Sequence, residues 1–223
     1  MSFFQELERV TADERAALYR VPQLVDGVRG RITRGTYLAY LAQAYHHVSH
    51  TVPLLTRARD GMDAAHSTFR AALADYIAEE TGHEAWILND IVHSGGDAEA
   101  VVTDGPAPAT ELMVAFAYDY VSRVNPMGMF GMVYVLEGTS IALATSGASA
   151  VATALRLGPE CFSYLTSHGA LDQEHMAFFA KLMDRVDDPR DQAAIVHVAK
   201  RVFVLFADMF RSIPHAPELA HAV

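Results

Sequence analysis

Apolar positions recur three and four residues apart along nearly the whole chain, and no stretch alternates as a strand does. Thr11 with Glu14 reads as a capping box opening a short helix that ends near Pro22. A second helix runs from about Thr36 through "YLAYLAQAYHHVSHTVPLL", with Pro53 bending or ending it. A third begins after Asp63 and continues to Gly95-Gly96. "DGPAPAT", residues 104 to 110, is a loop, and a fourth helix covers about 110 to 123, stopping before Asn125-Pro126. The fifth occupies "MGMFGMVYVLEGTSIALATSGASAVATALRLG", with Gly147 as a candidate break. The sixth holds "HGALDQEH" and ends near "DDP" at 187 to 189, and the seventh runs from about Arg190 to Ser212. The pattern predicts one all-α domain spanning 1–223, a seven-helix bundle of the kind that builds sites between facing helices.

Residues 127 to 145 form an almost unbroken apolar run whose only charge is Glu137. The run is long enough to cross a membrane. Basic flanks are sparse, however, glycines and small polar residues interrupt it, and the other helices are amphipathic. The central helix of a bundle is the better reading. A carboxylate there has to be paired, protonated or bound to a cation. A core Glu bonded to Arg or Tyr and a metal ligand are equally consistent with this helix taken alone.

Two further stretches carry polar groups on inward stripes. In "YIAEETGHEAWILND", Tyr76, Glu80, His83, Ile87 and Asp90 fall within roughly 80° of arc on a helical wheel, with Phe69 in the stripe and Leu73 at its margin. Glu79 sits close to it and Glu84 points away. Glu-x2-His on an inward face is the spacing that carboxylate-bridged di-iron bundles use, because side chains at i and i+3 converge. In "HGALDQEH", His168, Asp172 and His175 lie within roughly 60° of one another, and Phe179 continues their face. Gln173 and Glu174 belong to another side. Three such groups on one inward stripe are hard to satisfy without a cation, and imidazole with carboxylate suits iron, manganese or zinc. The competing reading is a polar seam between helices, which needs at least three hydrogen-bonding partners from elsewhere.

Composition narrows the function classes. The net charge of −10 over 223 residues argues against nucleic acid and against an anionic membrane surface. An apolar fraction of 51% excludes disorder. One cysteine, Cys161, excludes an intrachain disulfide and fits a reducing cytoplasm, and "MSFFQELERV" lacks the pattern of a signal peptide.

In order, Glu80-x2-His83, Glu137 and His168-x3-Asp172-x2-His175 resemble the heme-oxygenase-like diiron oxidase and oxygenase family. That family shares its seven-helix fold with heme oxygenase, the TenA thiaminases and the pyrroloquinoline quinone synthase C protein. The resemblance covers about Tyr37 to Phe179. It implies Glu80, His83, Glu137, His168, Asp172 and His175 as iron ligands, with Glu137 bridging. It also implies two ferrous ions, O2 as co-substrate, and a small amine, amino acid or carboxylate as substrate, undergoing N-oxygenation, oxidative C–C cleavage or desaturation. A homodimer is a further implication. Some members place a Glu two turns before the first His, where this chain has Tyr76, so Glu80 or Glu79 has to supply that carboxylate. The alternative within the same fold is a heme-binding, heme-degrading or TenA-like protein.

Other residues are sorted by their helix faces. His47 flanks an inward stripe and is expected to line a pocket, His46 and His50 are expected to face solvent, and a heme reading makes one of the three an axial ligand. Tyr76, Glu79 and Asp90 are expected beside the metal or a pocket. Tyr40, Tyr45, Tyr118 and Tyr134 read as core residues with tethered hydroxyls. His66, His93, His197, His215 and His221 read as surface residues, and Cys161 as a structural thiol.

Overall fold

The computed structural model describes residues 1–215, and the side chains of all of these except 168–175. Among the described residues there are twelve α-helices and no strand. They are α1 (Phe3–Val10), α2 (Ala12–Leu18), α3 (Pro22–Gly27), α4 (Arg34–Val48), α5 (Thr51–Gly61), α6 (Ser67–Glu80), α7 (His83–His93), α8 (Ala98–Asp104), α9 (Pro108–Arg123), α10 (Met129–Leu155), α11 (Ser163–Met183) and α12 (Pro189–Ser212). The count exceeds seven because long helices are split and short ones are added around the same bundle.

Each split has a local cause. The second expected helix divides at Ser49-His50, ahead of Pro53. Pro53 sits in the first turn of α5, where its missing N–H removes no helical hydrogen bond. The third divides at Thr81-Gly82, where Gly82 adopts φ 93°, a left-handed conformation that only glycine enters cheaply. The capping box expected at Thr11 does not form. Thr11 Oγ1 instead donates back to Leu7 O at 2.7 Å, and the box lies at Ser2 and Gln5, opening α1. Residues 98–104 were not read as a helix, and α8 forms there on an Asp97 cap. α10 runs unbroken through Gly147.

α10 is the axis of the bundle, packed against α11 and α12 and touching α3, α5 and α9. The stretch Pro126–Leu155 is long and apolar enough to cross a membrane, and 61% of its most apolar window is buried inside the fold. Its contact with α12 is backbone to backbone. A Cβ on Gly131 would lie 2.4 Å from Ile195 O, so only glycine allows this approach.

Two apolar clusters result. The larger joins α5, α6, α9, α10, α11 and α12 around residues such as Phe130, Phe179 and Val202. The smaller joins α4, α7 and the C-terminal half of α10 around Tyr37, Leu41, Ile87 and Val151.

Candidate metal centre and adjoining cavity

Glu80 ends α6 and His83 begins α7, so the two are not on one helix as their spacing suggests. The Gly82 bend still brings them together, with His83 Nδ1 3.0 Å from Glu80 Oε2. The contact is shielded, the Glu80 and His83 side chains being 12% and 7% exposed. The His83 ring also stacks on Trp86, centroids 4.1 Å apart and planes 22° apart. Carboxylate and indole together fix the imidazole's orientation. With Nδ1 directed at Glu80, Nε2 is the nitrogen turned toward any other partner. Glu79 is exposed, so the bend selects Glu80 of the two acids as the one beside His83.

Glu137 is buried in α10 between Leu136 and Thr139. The next residue, Gly138, faces α11: a Cβ there would stand 3.8 Å from Met176 Cε. Glu137 therefore sits beside a residue that abuts the helix carrying "HGALDQEH". The side chains of His168, Asp172 and His175 lie outside the described residues. Among the described residues no group of three or more His, Cys, Asp or Glu gathers in a metal-binding arrangement. The described donors are two shielded carboxylates and one imidazole, a set that suits ferrous iron chemically.

Asp90 is fully buried and holds the helix junction rather than a pocket. Its carboxylate accepts the N–H of Ser163 and the N–H of Tyr164, each at 2.9 Å, and the Ser163 hydroxyl at 2.5 Å. It caps the start of α11 from the side of α7. Tyr76 is buried within the larger cluster, one turn before Glu80.

A cavity opens at the seam of the two apolar clusters, between α3, α4, α10, the start of α11 and α12. It holds about 140 Å³ of space that a water-sized sphere can reach. His47 lines it, set edge-on to Phe206 with centroids 5.7 Å apart. Burial pushes the phenols of Tyr37 and Tyr40 on this wall well above their ordinary pKa, so both stay neutral. Along α10 the wall is formed by Leu136, Thr139, Ser140, Leu143, Ala144 and Gly147, one face of the helix, and Glu137 falls at that face's flank.

Several histidines differ from expectation. His46 is buried, and burial lowers its pKa first, with His50 adding to the effect. It borders a recess with Val101 and Asp104 of α8 and Ile213 beyond α12. His50 is half-buried, its Nδ1 3.1 Å from the Tyr118 hydroxyl. His66 bridges Asp63 and Asp191, and His215 pairs with Asp26. His93 and His197 are exposed, whereas His221 lies outside the described residues. The cavity residues Thr139 and Ser140 carried a readable signal, since small polar residues recur on one face of an otherwise apolar helix.

Residues 38–206 match a family described as iron-containing redox enzymes. The chain belongs to that family. As an iron-containing redox enzyme it has the heme-oxygenase-like fold of its structural neighbours. It is similar to a domain of unknown function with that fold from Shewanella denitrificans, with a TM-score of 0.85, 23% identity and coverage of 94% of this chain and 90% of the other. It is similar to a TenA homolog from Pseudomonas syringae, with a TM-score of 0.79, 13% identity and coverage of 93% and 90%. A heme oxygenase-1 from the cyanobacterium Synechocystis, solved in complex with heme, gives a TM-score of 0.77, 12% identity and coverage of 100% and 96%. These likenesses are likenesses of fold. Among curated proteins none matches the chain.

Proposed function

We propose that this iron-containing redox enzyme is a non-heme diiron oxidase or oxygenase acting on a small organic molecule. The resemblance points to an amine, amino acid or carboxylate. The ligands are Glu80, His83, Glu137, His168, Asp172 and His175. The observation that carries the reading is the burial of Glu137 in an apolar helix packed on α11, which in turn packs on α7, the helix that His83 begins. Buried carboxylates are retained where a cation compensates their lost hydration.

Two ferrous ions, when bound, supply the electrons and open coordination positions for reducing O2. The chain's own part is geometric and electrostatic. Glu80 and Trp86 hold the His83 ring in one orientation. The Asp90 cap sets the height of α11 and so of every residue along it. The apolar walls of the cavity exclude water from a substrate lying in it.

Reconstitution with ferrous iron under anaerobic conditions tests this, with two irons per chain and an absorbance change on admitting O2 as the expected outcome. Fewer than one iron per chain with no O2-dependent change overturns it. Because His47 lines the cavity, heme is the second reading. A Soret band on hemin titration that disappears in His47→Ala would favour it.

A further inference from the structure

The cavity is built for a particular kind of molecule. Among the described residues no Arg, Lys, Asp or Glu lines it. Arg31, next in the chain to the lining residue Ile32, is already paired with Asp26. In the metal-free chain a carboxylate or ammonium entering this space loses its hydration and meets no opposite charge among the described lining side chains.

Several polar groups on the wall are already engaged. The Tyr37 hydroxyl donates to Cys161 O at 2.7 Å. The Gln23 amide donates to Arg211 O and Ile213 O. The Thr139 hydroxyl donates to Val135 O at 2.7 Å. The Ser140 hydroxyl differs: its oxygen is buried and has no hydrogen-bond partner among the described residues. A buried hydroxyl in that state gains from any ligand group able to exchange a hydrogen bond with it. Ser140 is also one turn from Glu137 on the same helix, which puts the polar end of a ligand next to the proposed metal centre.

We propose that the cavity is the substrate chamber and takes an uncharged, mainly apolar molecule whose single hydrogen-bonding group is held by Ser140. This rests on the diiron reading for the word substrate, and on the cavity alone for the ligand class. It disfavours the amino acid and carboxylate members of the class that the resemblance suggests.

The test is calorimetric titration of the full chain with 1-octanol, octanoate and octylammonium, with and without ferrous iron. In the metal-free chain the alcohol is expected to bind at least about tenfold tighter than either ion. Ser140→Ala should weaken the alcohol by about three- to tenfold, the worth of one hydrogen bond. Gly147→Leu should abolish binding, because Gly147 lines the cavity and a Cβ there would stand 3.8 Å from Val28 Cγ1 across it, so the larger side chain occupies the ligand's space. If that variant does not fold, Val28→Trp fills the same space from the residue just after α3. Octanoate or octylammonium binding as tightly as the alcohol overturns the proposal. So does an alcohol affinity unmoved by both Ser140→Ala and the filling variant. Alcohol binding as expected in a chain that takes up no iron leaves the chamber standing and removes the diiron reading.

Discussion

The carboxylate of Asp90, at the end of α7, accepts the backbone N–H groups of Ser163 and Tyr164 and thereby caps α11, seventy-odd residues later in the chain. Helix starts leave four N–H groups without partners, and a buried carboxylate satisfies two of these at once. The contact joins the helix that begins with His83 to the helix that carries His168, Asp172 and His175.

Asp90→Asn keeps the shape and removes the charge. Stability should fall by about 1–3 kcal/mol, the range for hydrogen bonds to a buried charged group. Urea unfolding measures it. Ser163→Ala should cost less, because the two backbone bonds survive. A loss for Asp90→Asn no larger than that for Ser163→Ala would show that the backbone contacts do not hold α11.

Glu137→Leu separates a metal ligand from a structural acid. The iron content of Glu137→Leu, measured after ferrous reconstitution, should fall by at least half relative to the wild type, because leucine offers the ion no oxygen. Full iron loading in Glu137→Leu would remove Glu137 from the ligand set.

Gly82→Ala tests the bend between Glu80 and His83. A Cβ at Gly82 meets nothing within 4 Å, so the expected loss of roughly 1–2 kcal/mol comes from the positive φ alone. Thermal unfolding reads it. An unchanged melting temperature would mean the backbone relaxes out of the left-handed region.

His66 gives the chain a pH-dependent tie. The Asp191 hydrogen bond, with Asp63 adding to it, raises its pKa against the opposing effect of burial. A raised folded-state pKa contributes stability that is full below the ordinary histidine value of about 6.5 and is lost as pH rises through the raised value. The Asp63 carboxyl, lowered chiefly by His66, adds stability above its ordinary range that is lost as pH falls through the lowered value. Relative to His66→Gln, the wild type should gain in urea midpoint at mildly acidic pH and lose that gain as pH becomes mildly alkaline. Parallel profiles for the two proteins would refute the assignment.

The helical class, the start of α12, the end of α9 and the burial of α10 are legible because Pro189, the Asn125-Pro126 pair and the apolar run act locally. Glu80 and His83 were found as a pair for a reason that does not hold. The wheel assumed one helix, and a left-handed glycine interrupts it. His46 was misassigned because the recess it borders is formed partly by α8, a short helix with a weak pattern of its own. Ser140 was read only as an interruption in a hydrophobic run, since what lies opposite it comes from α3, α4 and α12. Burial set by distant elements has no local period, and that is what one sequence withholds.

The spacing between Glu80 and His83 is not a fixed pitch of a single helix but the separation between the end of one rod and the beginning of the next. It thus depends on how α6 and α7 are each seated among their neighbours. If the proposed ligand set holds, ion affinity at such a joint works as a gauge of packing. A substitution far off that tilts either helix by a few degrees should register as altered iron retention before it registers as a lower melting temperature.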